Sequence, residues 1–133
     1  MMLHCLILVS FLIQVPAELP PCPDSPNCVN TYQQTEGFER MEPLVYNGSP
    51  GEAMNKLKEI VRAMPRTEII VNENGYMKVV FTIAVFGFRD DVEFLADREN
   101  SVIHFRSASR TGYYDFGVNR NRMEIIREAW EEK

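Results

Sequence analysis

The sequence predicts an α+β domain: a four-stranded antiparallel sheet in meander order and two main helices, arranged in two layers. Three observations lead to this fold. Short runs of alternating apolar and polar residues, separated by turn signals, follow one another between residues 69 and 107. An apolar stripe with helical spacing precedes these runs, and another follows them. The chain has 133 residues, enough for one domain, and a hydrophobic content of 45%, which is ordinary for a globular protein.

Residues 1–17 are typical of a secretory signal peptide. Residues 6–15 (LILVSFLIQV) form an apolar run that is too short to span a membrane, and small or modest side chains at Val15-Pro16-Ala17 suit cleavage after Ala17. The preceding MMLH lacks the usual lysine or arginine. We therefore expect an extracytoplasmic protein, secreted or periplasmic, with no membrane span after cleavage. The alternative is a cytoplasmic protein in which this run is a buried element.

Residues 18–48 are polar and proline-rich, and we interpret them as an extended N-terminal arm. The arm contains the segment CPDSPNC, in which Cys22 and Cys28 enclose a short loop with two prolines. Removal of residues 1–17 would discard Cys5 and leave these two cysteines. A disulfide closing so small a loop would stabilise the fold by about 2.4 kcal/mol in the chain-entropy account. We expect a disulfide if the chain is exported and free thiols if it is cytoplasmic.

Residues 49–133 form the α+β domain, which is continuous with the arm. Its first helix begins at a capping box, with Ser49 at the N-cap, Pro50 at the first helical position and Glu52 at the third. Pro65 ends this helix. The apolar stripe that faces the core consists of Ala53, Leu57, Ile60, Val61 and Met64.

The strands follow the first helix, and Asn74-Gly75 is a strong hairpin signal between the first two. Gly87 interrupts the period-two pattern and marks a tight turn or a bulge. The last helix is predicted from Asn119, as its N-cap, to about Glu131. The four predicted strands span Ile69–Asn72, Tyr76–Val85, Arg89–Ala96 and Val102–Ser107.

Charged side chains concentrate between residues 86 and 123. With period two, Asp91 and Glu93 share one face of their strand, whereas Asp90 shares the other face with apolar residues. A carboxylate among apolar neighbours is costly unless it is paired. Two arginines, Arg120 and Arg122, lie in the first turn of the last helix, where the helix dipole favours anions.

Two arrangements would explain these arginines. In the first, carboxylates of a structural ion network fold onto them: Asp90, Asp91, Glu93 and Asp115. In the second, the start of the helix binds a small anion. The predicted ligand-binding residues are then Arg106, Ser107, Ser109, Arg110, Asn119, Arg120 and Arg122. The four arginines of this set are expected to converge on one point.

Other functional classes have weaker support. A hydrolase would use Asp90 or Asp91 with His104 and the arginines, although Ser107 lies on the face of its strand opposite His104. Arginines near the carboxylates would repel a divalent cation, and the sequence has no second cysteine or histidine cluster, so we predict no metal site and no cofactor. The net charge of −5 argues against a nucleic-acid protein.

Three blocks of the sequence stand out: CPDSPNCV at residues 22–29, FGFRDDVEF at 86–94 and RSASRTGYYDFGVNRNR at 106–122. In this order and spacing they resemble the signature of the family called domain of unknown function 1499 (DUF 1499). The resemblance covers nearly the whole chain after Leu19. It implies a small single-domain protein, in many members with an N-terminal export or lipoprotein-like segment, and it implies no established activity. The positions that carry it are Cys22, Pro23, Ser25, Pro26, Asn27, Cys28, Asp90, Asp91, Glu93, Phe94, Arg106, Ser107, Ser109, Arg110, Gly112, Asp115, Gly117, Asn119, Arg120 and Arg122.

The sequence therefore leads us to expect an uncharacterised, non-catalytic envelope or secreted domain. Its partner is unknown, and either a small anion or an envelope protein would bind at the cluster of arginines and aspartates.

Overall fold

A computed structural model describes residues 14–32 and 36–132 of the chain. Most of the predicted signal peptide, residues 1–13, lies outside the described residues. The described residues form two α-helices, α1 and α2, and six strands, β1 to β6, with a short 3-10 turn at Gly37–Glu39. Their bounds are β1 Cys28–Asn30, β2 Leu44–Val45, α1 Pro50–Arg62, β3 Thr67–Glu73, β4 Tyr76–Thr82, β5 Arg89–Asp97, β6 Val102–Ser109 and α2 Val118–Glu132.

The strands form one antiparallel sheet in the order β1-β6-β5-β4-β3, and β2 pairs with another part of β6. The α+β class and the two helices are confirmed, but the predicted count of four strands is wrong. Both additional strands come from the arm. They contain three and two residues, too few for a period-two pattern to be recognised. Their position follows from pairing with β6, which is a long-range contact.

The cross-strand register assigns each face of the sheet. One face carries rows of side chains such as Met77–Phe94–Phe105, which pack against both helices in the hydrophobic core. We call it the core face. The other, which we call the open face, carries rows such as Lys78–Glu93–Arg106. Residues of the arm contact this open face: the backbone oxygen of Pro21 accepts a hydrogen bond from Arg106 Nε at 3.3 Å, and Tyr32 stacks on the ring of His104 with 4.7 Å between ring centroids.

The beginning of α1 agrees with the sequence. The side-chain oxygen of Ser49 accepts a hydrogen bond from the Glu52 backbone N–H at 3.1 Å, and Pro50 is the first helical residue. The hairpin at Asn74-Gly75 is also confirmed, with φ of 48° and 79° at these two residues. Positive φ at both central residues is characteristic of the type I′ turn, the two-residue turn that commonly joins antiparallel strands.

The beginning of α2 differs from the prediction. The helix starts at Val118, so Asn119 lies inside it and is not the N-cap. Asp115 fills the capping role: its two carboxylate oxygens accept hydrogen bonds from the backbone N–H groups of Gly117 and Asn119 at 2.9 and 3.1 Å. The side chain of Asn119 is fully buried and is used for other contacts. A local capping pattern could not reveal this tertiary role.

Cys22 and Cys28 form a disulfide, with their Cα atoms 5.6 Å apart. The sequence left two states open, a disulfide and free thiols, and the structure contains the disulfide. Within the described ranges, 14–32 and 36–132, no helix is long and apolar enough to cross a membrane.

Candidate functional site

A buried ion pair joins β5 to α2 on the core face of the sheet. Asp90 is 2% exposed and Arg122 is 6% exposed, and Nη2 of Arg122 lies 2.5 Å from Oδ2 of Asp90. The other terminal nitrogen of Arg122 donates to Ser107 Oγ at 3.1 Å and to Asn119 Oδ1 at 2.8 Å. The guanidinium also lies 4.7 Å above the centre of the Phe81 ring. The pair is therefore closely surrounded by protein.

Asn119 is the centre of the polar network around this pair. Its amide oxygen accepts a hydrogen bond from Ser107 Oγ at 2.7 Å. Its amide nitrogen lies within hydrogen-bonding distance of Ser109 Oγ, an Asp115 oxygen and the backbone oxygen of Asn27, at 2.9, 2.8 and 3.1 Å. One side chain thus connects β6, the start of α2 and the arm. Fully satisfied networks of this kind make a buried polar region rigid.

The disulfide loop is tied to the same network through Asn27. Its side-chain nitrogen donates to the backbone oxygen of Gly112 at 2.7 Å, and its backbone oxygen also accepts from the Ser109 N–H at 3.0 Å. Ser25 holds the Asn27 side chain through a 2.8 Å hydrogen bond. The loop therefore fixes the segment that joins β6 to α2.

The open face carries a separate set of ion pairs. Arg110 donates from Nε and Nη2 to the two carboxylate oxygens of Asp91, both at 2.9 Å. The hydrogen bond from Arg110 holds the pKa of Asp91 below its ordinary value, and the same contact raises the pKa of Arg110. Further along β5, Glu93 accepts a 2.8 Å hydrogen bond from the Tyr76 hydroxyl and lies 3.9 Å from Arg106. Burial, followed by the contact with Glu93, raises the pKa of Tyr76.

His104 lies apart from the aspartates that a hydrolase would pair with it. Its ring nitrogens are 2.9 Å from Thr31 Oγ1 and 3.5 Å from Asp97 Oδ2, on the open face. Asp90 pairs with Ser109 on the core face, five residues along β6 from His104. At about 3.4 Å per residue this is roughly 17 Å along the strand. Asp91 pairs with Ala108, four residues or roughly 14 Å along β6 from His104. The structure therefore brings neither aspartate to His104.

The four arginines of the expected binding set do not share one position. Arg106 and Arg110 extend from the open face, whereas Arg122 is buried on the core face. Arg120 donates to the backbone oxygens of Phe38 and Arg40, the latter at 2.9 Å. Of the expected network carboxylates, Asp90, Asp91 and Glu93 each contact an arginine, and Asp115 caps α2 instead. Ser107, Ser109 and Asn119 belong to the Asp90–Arg122 network.

An open cleft of about 380 Å³ lies beside this network, and no pattern in the sequence predicts it. One wall is the turn between β4 and β5, and the other is the segment between β6 and α2. Asp90, Ser109 and Asp115 are the polar network residues that line it. Its other lining residues are Ile83, Val85, Phe86, Phe88, Thr111, Gly112, Tyr114, Phe116 and Val118.

Exposed apolar side chains concentrate at this cleft. The described residues include eleven large apolar side chains that are exposed, and seven of them lie at residues 83–88 or 111–118. A signal for this was present in the sequence, since the turn and the segment read IAVFGF and TGYYDFGV, with a single charged residue between them. Period-two and period-3.6 patterns carry no information about loops, so they do not predict a cleft whose walls are a turn and a loop segment.

A comparison with known protein families covers the residues that build the network and the cleft. The profile of the family described as "Protein of unknown function (DUF1499)" matches residues 18–130. The chain belongs to the DUF1499 family. The matched region of this DUF1499 protein includes the disulfide loop, both ion-pair sets and both walls of the cleft. No curated protein matches the sequence. Among the described residues of the DUF1499 domain, no group of three or more histidine, cysteine, aspartate or glutamate side chains could hold a metal ion.

Proposed function

We propose that this DUF1499 protein is a non-catalytic binding domain whose aromatic cleft takes up the apolar part of a small molecule. The observation that carries the proposal is the cleft itself, about 380 Å³ in volume and lined mostly by apolar side chains beside a rigid polar network. Sites for small molecules in proteins usually have this form, with a few polar groups that orient the ligand. Burial of about 200 Å² of apolar ligand surface would contribute about 5 kcal/mol to binding.

The polar groups at the cleft indicate what kind of ligand end would fit. Asp90, Ser109 and Asp115 offer oxygen atoms, and the arginine of the network points its nitrogens at Asp90, Ser107 and Asn119. A ligand end that donates hydrogen bonds, such as a hydroxyl, amide or ammonium group, therefore suits the cleft better than a carboxylate.

A binding role is better supported than a hydrolase because the titratable groups are committed to one another. Asp90 is paired with Arg122, Asp91 with Arg110, and His104 contacts Thr31. The contact between Thr31 and His104 is the one that joins a hydroxyl to a base, which is what nucleophilic catalysis needs. Thr31 is only 1% exposed, and its oxygen also accepts a hydrogen bond from the Phe105 backbone N–H at 3.1 Å, so this hydroxyl is enclosed by protein.

The disulfide supports the proposal of an extracytoplasmic location. Cys22 and Cys28 are bonded, and such bonds persist in oxidising compartments outside the cytoplasm. Cleavage after Ala17 remains part of this proposal.

Native mass spectrometry of the protein purified from its own host tests the ligand proposal. We expect a bound molecule with an apolar body. Thr111→Trp, which places a large ring inside the cleft, should abolish its retention, and Val45→Trp on β2 should leave retention unchanged as a matched control. Equal retention by Thr111→Trp and wild type, at equal unfolding midpoints, would show that the ligand lies elsewhere.

A small anion is a second candidate ligand, and a different pocket favours it. Arg40, Arg120 and Arg127 line a cavity of about 280 Å³ between the arm and α2, together with Glu42 and Glu124. Three guanidinium groups against two carboxylates leave a positive excess. Among the described residues, the buried Nε atoms of Arg40 and Arg120 have no hydrogen-bond partner. An unsatisfied buried donor is costly and gains from a new acceptor.

Thermal unfolding with added phosphate, sulfate or citrate at constant ionic strength tests the anion. Ligand that binds the folded state should raise the unfolding midpoint with the logarithm of its concentration. Loss of this shift in Arg120→Gln alone would place the anion in the cavity between the arm and α2. Loss in Arg110→Ala alone would place it in the binding set that the sequence indicates. A wild-type midpoint that does not move would exclude both.

A further inference from the structure

Two Phe-Gly turns flank the cleft, one on each wall. Phe86 and Gly87 both have φ of 66°, and Phe116 and Gly117 have φ of 55° and 77°. The side chains of Phe86 and Phe116 are 87% and 85% exposed, more than the other exposed large apolar side chains of the described chain. The same unusual arrangement therefore occurs twice around one opening.

These turns break two local preferences at once. Positive φ is unfavourable for a bulky side chain, because its Cβ approaches the backbone closely. Exposure of a phenyl ring to water is unfavourable as well. The chain contains a turn of the favoured composition elsewhere, at Asn74-Gly75, with φ of 48° and 79°. Strained and exposed residues of this kind concentrate at functional positions.

The charges around the two turns distinguish this end of the molecule. The turn at residues 83–88 has no charged residue, and the segment at 111–118 has only Asp115, whose carboxylate caps α2. Two exposed arginines lie next to these turns. Arg66, just before β3, donates from Nε to the backbone oxygen of Thr82 at the end of β4, and Arg89 is the first residue of β5. A chain with a net charge of −5 thus presents uncharged aromatic tips backed by cations at this end.

We propose that these two tips dock the protein on a phospholipid bilayer. Phe86 and Phe116, with Tyr113 and Tyr114 beside them, enter the interfacial layer, and the guanidinium of Arg89 meets lipid phosphates. Aromatic side chains favour this interfacial depth, and cations close to it are attracted to anionic lipid. The proposal goes beyond ligand binding in the cleft and does not depend on it.

The features favour a bilayer over a protein partner. The two rings lie at the tips of separate turns with an open cleft between them, which suits a fluid apolar phase. A protein interface would require a packed, continuous centre from which water is excluded. Docking would place the mouth of the cleft at the lipid surface.

Quenching of tryptophan fluorescence at chosen positions by brominated lipid tests the proposal on the full chain. Tryptophan is introduced singly as Phe86→Trp or Phe116→Trp, and Val45→Trp is the control, since Val45 is 67% exposed on β2 at the opposite end of the sheet. Vesicles of phosphatidylcholine and phosphatidylglycerol with brominated acyl chains quench tryptophan that enters the lipid. The native Trp130 is 5% exposed, and its signal is subtracted with the wild type.

We expect bromolipid to quench the tryptophans at positions 86 and 116 and to spare the one at position 45. Because the readout is local, it separates docking by the tips from any lipid affinity of residues 6–15. The double variant Phe86→Ser/Phe116→Ser should lower vesicle partitioning by about tenfold, given the loss of two apolar anchors. Val45→Ser should leave it unchanged.

Two results would overturn the proposal. One is vesicle-bound protein in which bromolipid quenches positions 86 and 116 no more than position 45. The other is a blue shift at positions 86 and 116 that grows with protein concentration without vesicles and is absent with vesicles. That outcome would assign the tips to contact between two copies of the chain.

Discussion

Replacement of Asp90 by asparagine should destabilise the fold strongly, because it leaves the buried charge of Arg122 without its counterion. Arg122 is 6% exposed, and its remaining contacts, Ser107, Asn119 and the ring of Phe81, are all uncharged. Breaking a buried ion pair on one side costs about 3–5 kcal/mol. Domains of this size have unfolding free energies of about 5–15 kcal/mol, so Asp90→Asn should remove a large fraction of the stability.

Urea unfolding at neutral pH measures the effect, and Asp91→Asn is the matched control. Asp91 is the next residue on the same strand and also pairs with an arginine, but its partner Arg110 is at the surface. Water solvates that guanidinium once the carboxylate is removed, so the control should lose much less stability. The slope of the unfolding free energy against urea should stay constant in both variants.

A double variant, Asp90→Asn/Arg122→Met, separates the cost of the unpaired Arg122 charge from other effects of the Asp90 substitution on stability. It removes the buried guanidinium while Ser107 and Asn119 keep the 2.7 Å hydrogen bond between them. It should be more stable than Asp90→Asn alone, which means that the two substitutions are not additive. Equal losses for Asp90→Asn and Asp91→Asn, or strictly additive losses in the double variant, would refute the reasoning.

Three further outcomes are expected. Cys22→Ser should lower the unfolding free energy by about 2 kcal/mol, as expected for loss of a short disulfide-closed loop, when urea unfolding is measured without reductant. Reductant should lower the stability of the wild type by a similar amount and leave that of Cys22→Ser unchanged. Because the pKa of Asp91 is lowered in the folded state, its pair with Arg110 stabilises the fold fully above about pH 4. This contribution is lost as the pH falls through the folded-state pKa of Asp91. The unfolding midpoints of Asp91→Asn and wild type should therefore converge as the pH is lowered. Intact mass of the protein recovered from outside the cytoplasm should correspond to cleavage after Ala17 with a Cys22–Cys28 disulfide; a full-length cytoplasmic chain with reactive thiols would contradict the proposed export.

The features that the sequence predicted correctly depend on local rules. Ser49 caps α1, Asn74-Gly75 forms the hairpin, and the alternation on β5 separates Asp90 from Asp91 onto opposite faces. In each case the deciding neighbours are within a few residues along the chain. Patterns of that length are visible in a single sequence.

The features that the sequence did not reveal depend on distant partners. Strand β1 exists because Cys28 pairs with Ala108, eighty residues away by their numbers. The capping expectation for Asn119 was wrong because its side chain contacts β6 and the arm. The cleft was missed because its walls are two loops, which meet through the network and not through any periodic pattern. The arginines were expected to meet, but β6 and α2 place them on different faces.

The pairing of β6 with the arm has a consequence for how the chain acquires its structure. Of the strands in the described part of the chain, β6 is the last to be synthesised, and on its outer side it pairs with β1 and β2, the first two. An amino-terminal portion that lacks residues 102–109 therefore has no edge on which the arm can settle. Contacts of such high sequence separation form late and slow the folding of a domain. If the chain is exported amino terminus first, its cysteine segment would therefore leave the translocation pore still extended. In refolding, pulse-labelling hydrogen exchange should find the amides of residues 28–30 protected after those of β4 and β5.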